Sequence, residues 1–312
     1  MDSIISITEI RKSAENEIPD IDILFDEPME NHTSFRIGGN ADIFVDVKKE
    51  EDIINSVSFF KKHNIDFTVI GNGSNLLVSD LGIEGAVIRI GKSYAKTEID
   101  GEFIKATSGT LLSKIASVAL ENSLSGFEFA SGIPGTLGGA LVMNAGAYGG
   151  EMKDVTVETK YVNSKGEICT VTGDEHKFSY RHSRFSDGDI ILSSILKLNH
   201  ANKDEIKETM HSLASKRREK QPLEYPSAGS TFKRPEGYFA AKLIDDSGLR
   251  GFSIGGAKVS DKHCGFVINS DNATCRDVLL VMKHVRETVK EKFGVTLEPE
   301  VRFLGRTMDV EI

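Results

Sequence analysis

The passage 132-GIPGTLGGALVMNAGAYGG-150 is the most informative in the chain, because it holds seven of the 29 glycines. Glycine has no side chain to keep a ligand off the backbone, and runs of free N–H groups form concave sites for phosphate oxygens. Pro134 suits the first position of a helix beginning near Gly135, which would aim that helix's N-terminus at an anion. Taken alone, the passage reads equally well as tight turns and close-packed elements. A second cluster, 71-GNGSN-75, directly follows the apolar run 67–70. Two such clusters, each after a β-like run, point to a dinucleotide. In 71-GNGSNL-76 the sixth position is leucine, which excludes the Rossmann fingerprint, and the longer passage has no Gly-Lys-Ser/Thr, which excludes a Walker loop. The residues themselves therefore define a nucleotide pocket of neither kind.

Outward from these clusters, strands and helices alternate. Alternation of apolar and polar residues predicts strands at 41-ADIFVDV-47, 102-EFIKAT-107, 189-DIILSSILKL-198 and 297-LEPEVRFLG-305. Residues 65–80 read as strand, glycine turn, strand, with a further short strand at 85–90 and another at 265–270. Residues 154–172 read as a hairpin through Ser-Lys-Gly. Helical spacing predicts helices over 49–64, 111–122 and 201–222. The sequence 274-TCRD-277 is a capping box opening a helix with Val278, Met282, Val285, Val289 and Phe293 on one face, stopped by Gly294. Residues 1–30 are polar and acidic and read as a helix leading into an irregular arm, while the passage from 227 to Gly265 reads as loop. The alternation of strands and helices predicts an α+β or α/β chain with mixed sheets.

The bulk numbers narrow the function classes. With 312 residues the chain has room for two or three domains. A net charge of −9, from 38 basic and 47 acidic residues, argues against general nucleic-acid binding. Cys169, Cys264 and Cys275 are odd in number and lack metal spacing, which predicts reduced thiols, no metal site and a cytoplasmic setting. No stretch has the length of a membrane helix, and the N-terminus carries acids where an export signal needs an apolar run.

One serine stands out. Ser230, in 227-SAGSTFKRPEGYFAAKLID-245, has no Gly-x-Ser-x-Gly elbow around it and is no hydrolase nucleophile. By residue type alone it reads as a turn residue. Likewise Arg181 reads as a surface ion-pair partner, and Glu300 as part of a solvated strand edge shared with Glu298 and Arg302.

Seven ordered motifs change those odds: 31-NHTSFRIGGNAD-42, 70-IGNGSNLLVSD-80, 127-FEFASGIPGTLGGALVMNAGAYGGE-151, 180-YRHSRF-185, 229-GSTFKRP-235, 242-KLIDDSGLRG-251 and 298-EPEVRF-303. From about Asn31 to Gly305 the chain resembles the UDP-N-acetylenolpyruvoylglucosamine reductase (MurB) family, and its short connection after Phe185 is similar to the shorter, type II branch. The resemblance implies the α+β class, with a two-subdomain flavin fold like that of vanillyl-alcohol oxidase (31–200, divided near 92), a substrate-binding domain (201–296) and a terminal strand serving the active site (297–312). It implies non-covalent FAD, NADPH as hydride donor and a UDP-sugar enolpyruvyl ether as substrate, in cytoplasmic peptidoglycan synthesis. No separate NADPH fingerprint is present, and the resemblance implies one pocket used in turn.

Carried over residue by residue, the resemblance implies Ser230 as proton donor with Arg181 and Glu300 as its catalytic companions. Flavin contacts fall on Gly71, Asn72, Gly73, Ser74, Asn75, Ser131, Gly132, Ile133, Pro134, Gly135, Gly138, Gly139, Asn144 and Gly146. Substrate contacts fall on Tyr180, Lys220, Arg234 and Asn269, with His263 beside them. His32 raises the thought of covalent flavin attachment, which the resemblance argues against. Two other readings compete: an oxygen-using flavin oxidase of the same fold, and a binding module without turnover. The three site residues together favour the reductase, since an oxidase has no carbanion to protonate.

Overall fold

The structure, a computed structural model, describes residues 7–310. Its first lobe is a four-stranded sheet in the order Ile23–Pro28, Asn40–Asp46, Ile83–Arg89, Phe67–Ile70. The first pair is antiparallel and the other two are parallel. The helix Glu50–Lys62 buries Ile53, Val57, Phe59 and Phe60 against Ile43, Val45, Ala86 and Ile88 of the sheet. Among the described residues, 7–30 form regular elements where an irregular arm is expected, and residues 1–6 lie outside the described residues. The helix Ile7–Glu17 places Ile10 and Ala14 in the same cluster, and Ile23–Pro28 forms the sheet's edge strand. Asp26, at φ +57°, and Glu27 interrupt that strand's apolar alternation, which hid it from a periodicity reading.

The second lobe is a five-stranded antiparallel sheet in the order Ile168–Thr172, Thr156–Val162, Ile190–Lys197, Phe103–Thr107, Thr97–Asp100. The helices Leu112–Glu121 and Leu137–Val142 pack Leu112, Ile115, Leu137 and Leu141 onto Ile104 and Leu196 of this sheet. The second helix begins two residues later than expected, so Pro134 lies outside it. Its first N–H groups are already taken: Leu137 N donates to Thr110 O and Gly138 N to Ser108 O, both at 2.8 Å. The helix end is therefore not the open anion site that the glycine pattern predicts.

The third unit holds the helix Ala240–Asp246, the strands Ser253–Ile254, Ala257–Val259 and Val267–Asn269, and the helix Cys275–Phe293. The first three fall where the sequence reads as loop, since each is too short to show a period. The long helix starts as expected, with Thr274 Oγ accepting from Asp277 N at 3.1 Å and Asp277 Oδ2 from Thr274 N at 3.0 Å, and it ends at Gly294 with φ +69°. Val278, Met282, Val285 and Val289 are buried, but Phe293 in the last turn is 39% exposed. Phe35, Ile37 and Leu77 of the first lobe lie in this unit's core. The last strand, Arg302–Leu304, is shorter than expected and pairs in parallel with Leu76–Val78.

Among the described residues no helix is long and apolar enough to cross a membrane, and no cluster of His, Cys, Asp or Glu could hold a metal. The three cysteines are unpaired. Burial pushes the Cys264 thiol up to about 11 and Cys275 to about 12, so both stay protonated at neutral pH.

Candidate active site

The two glycine clusters meet. Asn72 Nδ2 donates to Pro134 O at 2.7 Å, and Ser74 Oγ lies 3.6 Å from where a Cβ of Gly135 would stand. Gly73 has φ +62°, and a Cβ there would stand 2.0 Å from His32 O. Cβ atoms on Gly71, Gly132, Gly138 and Gly146 would strike Thr136 Oγ1, Arg217 Cδ, Ser108 Cβ and Glu151 Cγ at 2.4–2.9 Å. Gly138 and Gly146 also crowd the backbone at Ser108 O and Gly150 O and are required by protein packing, whereas Gly71 and Gly132 meet only the side chains of Thr136 and Arg217. Gly135 and Gly139 differ: a Cβ on either meets protein only at 3.6–4.0 Å. Beside them the buried hydroxyls Thr136 Oγ1 and Ser108 Oγ have no hydrogen-bond partner. Buried hydroxyls left without a protein partner beside these glycines fit a bound ligand with many polar atoms, as FAD is. Ser131 Oγ is turned inward to Glu128 O at 2.7 Å, and Ile133 packs on the second lobe's core.

Asn144 occupies a different role from the expected ligand contact. It is buried at φ +42°, its Nδ2 donates to Glu151 Oε2 (2.8 Å) and Ser179 O (3.1 Å), and its Oδ1 accepts from Lys153 N. Its amide is fully committed to holding the turn that follows. In that turn Ser179 and His182 exchange two backbone hydrogen bonds, leaving Tyr180 and Arg181 at the tip. Arg181 has φ +56°, a left-handed conformation that costs a non-glycine residue about 1–2 kcal/mol.

From this tip Arg181 Nε donates to Glu300 Oε1 at 2.7 Å, with side chains 21% and 14% exposed. Burial raises the Glu300 carboxyl above the usual glutamate range, outweighing the opposing pull of Arg181 and Lys233. Glu300 is fixed by its backbone: Glu300 N donates to Thr231 O (2.9 Å), and Asn75 Nδ2 donates to Glu300 O (3.0 Å). Ser230 directly precedes Thr231, follows Gly229 at φ +78°, and is exposed. Lys233 N donates to Glu298 O, which extends the same pairing of the 230–233 and 298–301 segments. Tyr180 closes the group, its hydroxyl accepting from Arg234 N at 3.1 Å. The flavin loop, the Arg181 turn and the Ser230 and Glu300 segments thus converge from four distant parts of the chain.

The remaining expected contacts divide. Lys220 is exposed at the last turn of the helix Lys203–Lys220. Arg234 is exposed, with its guanidinium 4.0 Å over the Phe239 ring and Nε donating to Tyr238 O. Asn269 is committed internally, donating to Phe35 O and accepting from Ala273 N, so its side chain joins the lobes. His263 Nδ1 accepts from Gly265 N, and burial first, then Arg250 and Lys220, depress its pKa. His32 Nδ1 accepts from Arg89 Nη1, so Nε2 donates to Glu27 Oε1, both at 2.8 Å. Neither ring nitrogen remains for a covalent bond. Arg217 was missed by sequence reasoning: half-buried against Gly132, it has no carboxylate partner among the described residues. A helix rich in charged residues gives no signal that one of them turns inward.

Comparisons with known proteins identify the family. The FAD binding domain family matches residues 41–172, and the C-terminal domain of UDP-N-acetylenolpyruvoylglucosamine reductase matches 221–304. The chain is 52% identical over 307 residues to the UDP-N-acetylenolpyruvoylglucosamine reductase of Agathobacter rectalis, covering 94% of this chain and 98% of that one. Its identity to that of Caldanaerobacter subterraneus is 51% over 284 residues, covering 91% and 94%. The crystal structure of UDP-N-acetylenolpyruvylglucosamine reductase (MurB) from Thermus caldophilus superposes with a TM-score of 0.76 at 31% identity, covering 91% and 98%. The chain belongs to the UDP-N-acetylenolpyruvoylglucosamine reductase family of FAD-binding oxidoreductases.

Proposed function

We propose that this chain reduces UDP-N-acetylglucosamine enolpyruvate to UDP-N-acetylmuramate with NADPH, supplying cytoplasmic peptidoglycan synthesis. The observation that carries the reading is the Arg181–Glu300 pair standing beside the Ser230 segment, 119 residues apart in the chain and 2.7 Å apart in space.

Residues 71–75, 131–135, Gly138 and Gly139 would hold FAD, with Thr136 and Ser108 offering their free hydroxyls and Arg217 a fixed positive charge. When bound, FAD supplies hydride transfer from NADPH to the terminal carbon of the enolpyruvyl group. The protein's own task is the charge that then develops on the neighbouring carbon and its carboxylate. Glu300 holds Arg181 by Nε alone, which leaves both Nη groups without a protein acceptor among the described residues. Their planar fork suits a carboxylate becoming an enolate. Ser230, whose hydroxyl has no protein partner among the described residues, would deliver the proton to the carbon bearing the ether oxygen. Tyr180, Arg234 and Lys220 would receive the UDP-sugar, within a substrate-binding part spanning 201–296 closed by 297–312.

Turnover in deuterated water tests this. One solvent deuterium should enter the carbon bearing the ether oxygen, and NADPH use should require the enolpyruvyl ether. NADPH consumption that follows oxygen, with the ether unchanged, would overturn the reading.

A further inference from the structure

We infer that Asp80 is a positioning residue that docks the C-terminal unit onto the flavin lobe and so sets substrate affinity, an inference that rests on the function proposed above. Asp80 belongs to the first lobe, yet its carboxylate accepts from Cys275 N at 2.7 Å and Arg276 N at 3.0 Å. Those are the first N–H groups of the helix Cys275–Phe293. A carboxylate there satisfies two orphan donors and faces the positive end of the helix dipole.

The segment carrying Asp80 has little slack. Gly39 N donates to Ser79 O and Ser79 N to Leu304 O, both at 2.9 Å. A Cβ on Gly39 would stand 2.4 Å from Asp80 O, and one on Gly305 would stand 2.9 Å from Ser79 Cβ. At its other end, Asn75 O accepts from Arg302 N and Asn75 Nδ2 donates to Glu300 O. Residues 75–80 therefore form one rigid rail. It fixes Glu300 at the site and, through Asp80, the helix that forms much of the C-terminal unit's core. A substrate held by Arg181 from one lobe and Ser230 from the other binds only the docked arrangement. Its apparent affinity falls in proportion to the docked fraction.

The helix provides its own control. Asp277 caps the same N-terminus from within the unit, through Thr274 N at 3.0 Å and Gly256 N at 3.3 Å. Asp80→Ala and Asp277→Ala each remove a cap, but only the first removes a bond between the two units, whose shared core at Phe35, Ile37 and Leu77 and whose Asn269–Phe35 bond remain.

The test compares both variants with wild type as purified FAD-bound enzymes, measuring Tm, flavin content, and kcat and KM for the enolpyruvyl ether. We expect both to lower Tm, and Asp80→Ala alone to raise KM by about threefold or more with kcat within about threefold, as the docked arrangement becomes less populated. Asp80→Asn, which keeps one acceptor oxygen, should recover part of the loss. Equal KM changes in both alanine variants, or an unchanged KM in Asp80→Ala, would overturn the inference. Wild type that fails to turn over the ether would overturn the functional reading, before any variant is compared.

Discussion

Replacing Arg181 with lysine isolates what the guanidinium contributes. In the structure its Nε is held by Glu300 at 2.7 Å, and the two Nη groups remain available. Lysine keeps the charge but offers a compact ammonium in place of the planar fork, so it cannot both hold Glu300 in the Nε position and present a paired donor edge to the substrate carboxylate. The loss is about one charge-assisted hydrogen bond, roughly 1.5–3 kcal/mol. At 1.36 kcal/mol per tenfold, kcat/KM for the enolpyruvyl ether should fall about 10- to 150-fold. The fold should be untouched, because lysine and arginine bear the same cost at φ +56°. The assay is steady-state turnover beside flavin content and Tm. Turnover within about twofold of wild type, with flavin content and Tm unchanged, would show that the fork is not used and would refute the clamp.

Three further outcomes follow from the same geometry. Ser230→Ala should keep flavin reduction by NADPH but slow its reoxidation by substrate roughly 10²–10⁴-fold in rapid mixing, and equal slowing of both would remove Ser230 as proton donor. Glu300 has a raised pKa in the fold, so its contribution to stability is present when it is protonated and is lost as pH rises through that pKa. Glu300→Gln should therefore match or exceed wild-type Tm at neutral pH, with the gap closing below the ordinary glutamate range, while activity falls; a variant less stable only at neutral pH would contradict this. Gly139→Ala should fold, since alanine favours a helix by about 0.5–1 kcal/mol, yet bind less flavin, whereas Gly73→Ala should lose stability through its clash with His32 O. Full flavin content in Gly139→Ala would place the ligand elsewhere.

Elements that carry a whole apolar face were readable from the sequence. The helix Cys275–Phe293 announced its start with Thr274 and Asp277, its core face with Val278 to Val289, and its stop with Gly294. Segments without room for a period were not readable, as Ala240–Asp246 and the strands after it show. The edge strand Ile23–Pro28 was masked by its acids, and the pairing of Arg302–Leu304 with Leu76–Val78 is a contact no local pattern encodes. At the site, motif resemblance singled out Arg181, Ser230 and Glu300, but residue type cannot tell which polar side chains the fold consumes. Asn144 and Asn269 share the chemistry of ligand contacts, yet both amides are committed to protein partners. Conversely, Arg217 looked like one more surface cation and is turned in against Gly132.

The most direct test of the account is anaerobic. The purified, FAD-bound protein is bleached with NADPH, then given UDP-N-acetylglucosamine enolpyruvate while the flavin absorbance is followed. The account predicts that the oxidised spectrum returns without oxygen, with UDP-N-acetylmuramate formed in step. A flavin that bleaches and stays bleached until air is admitted would contradict it and point to an oxidase.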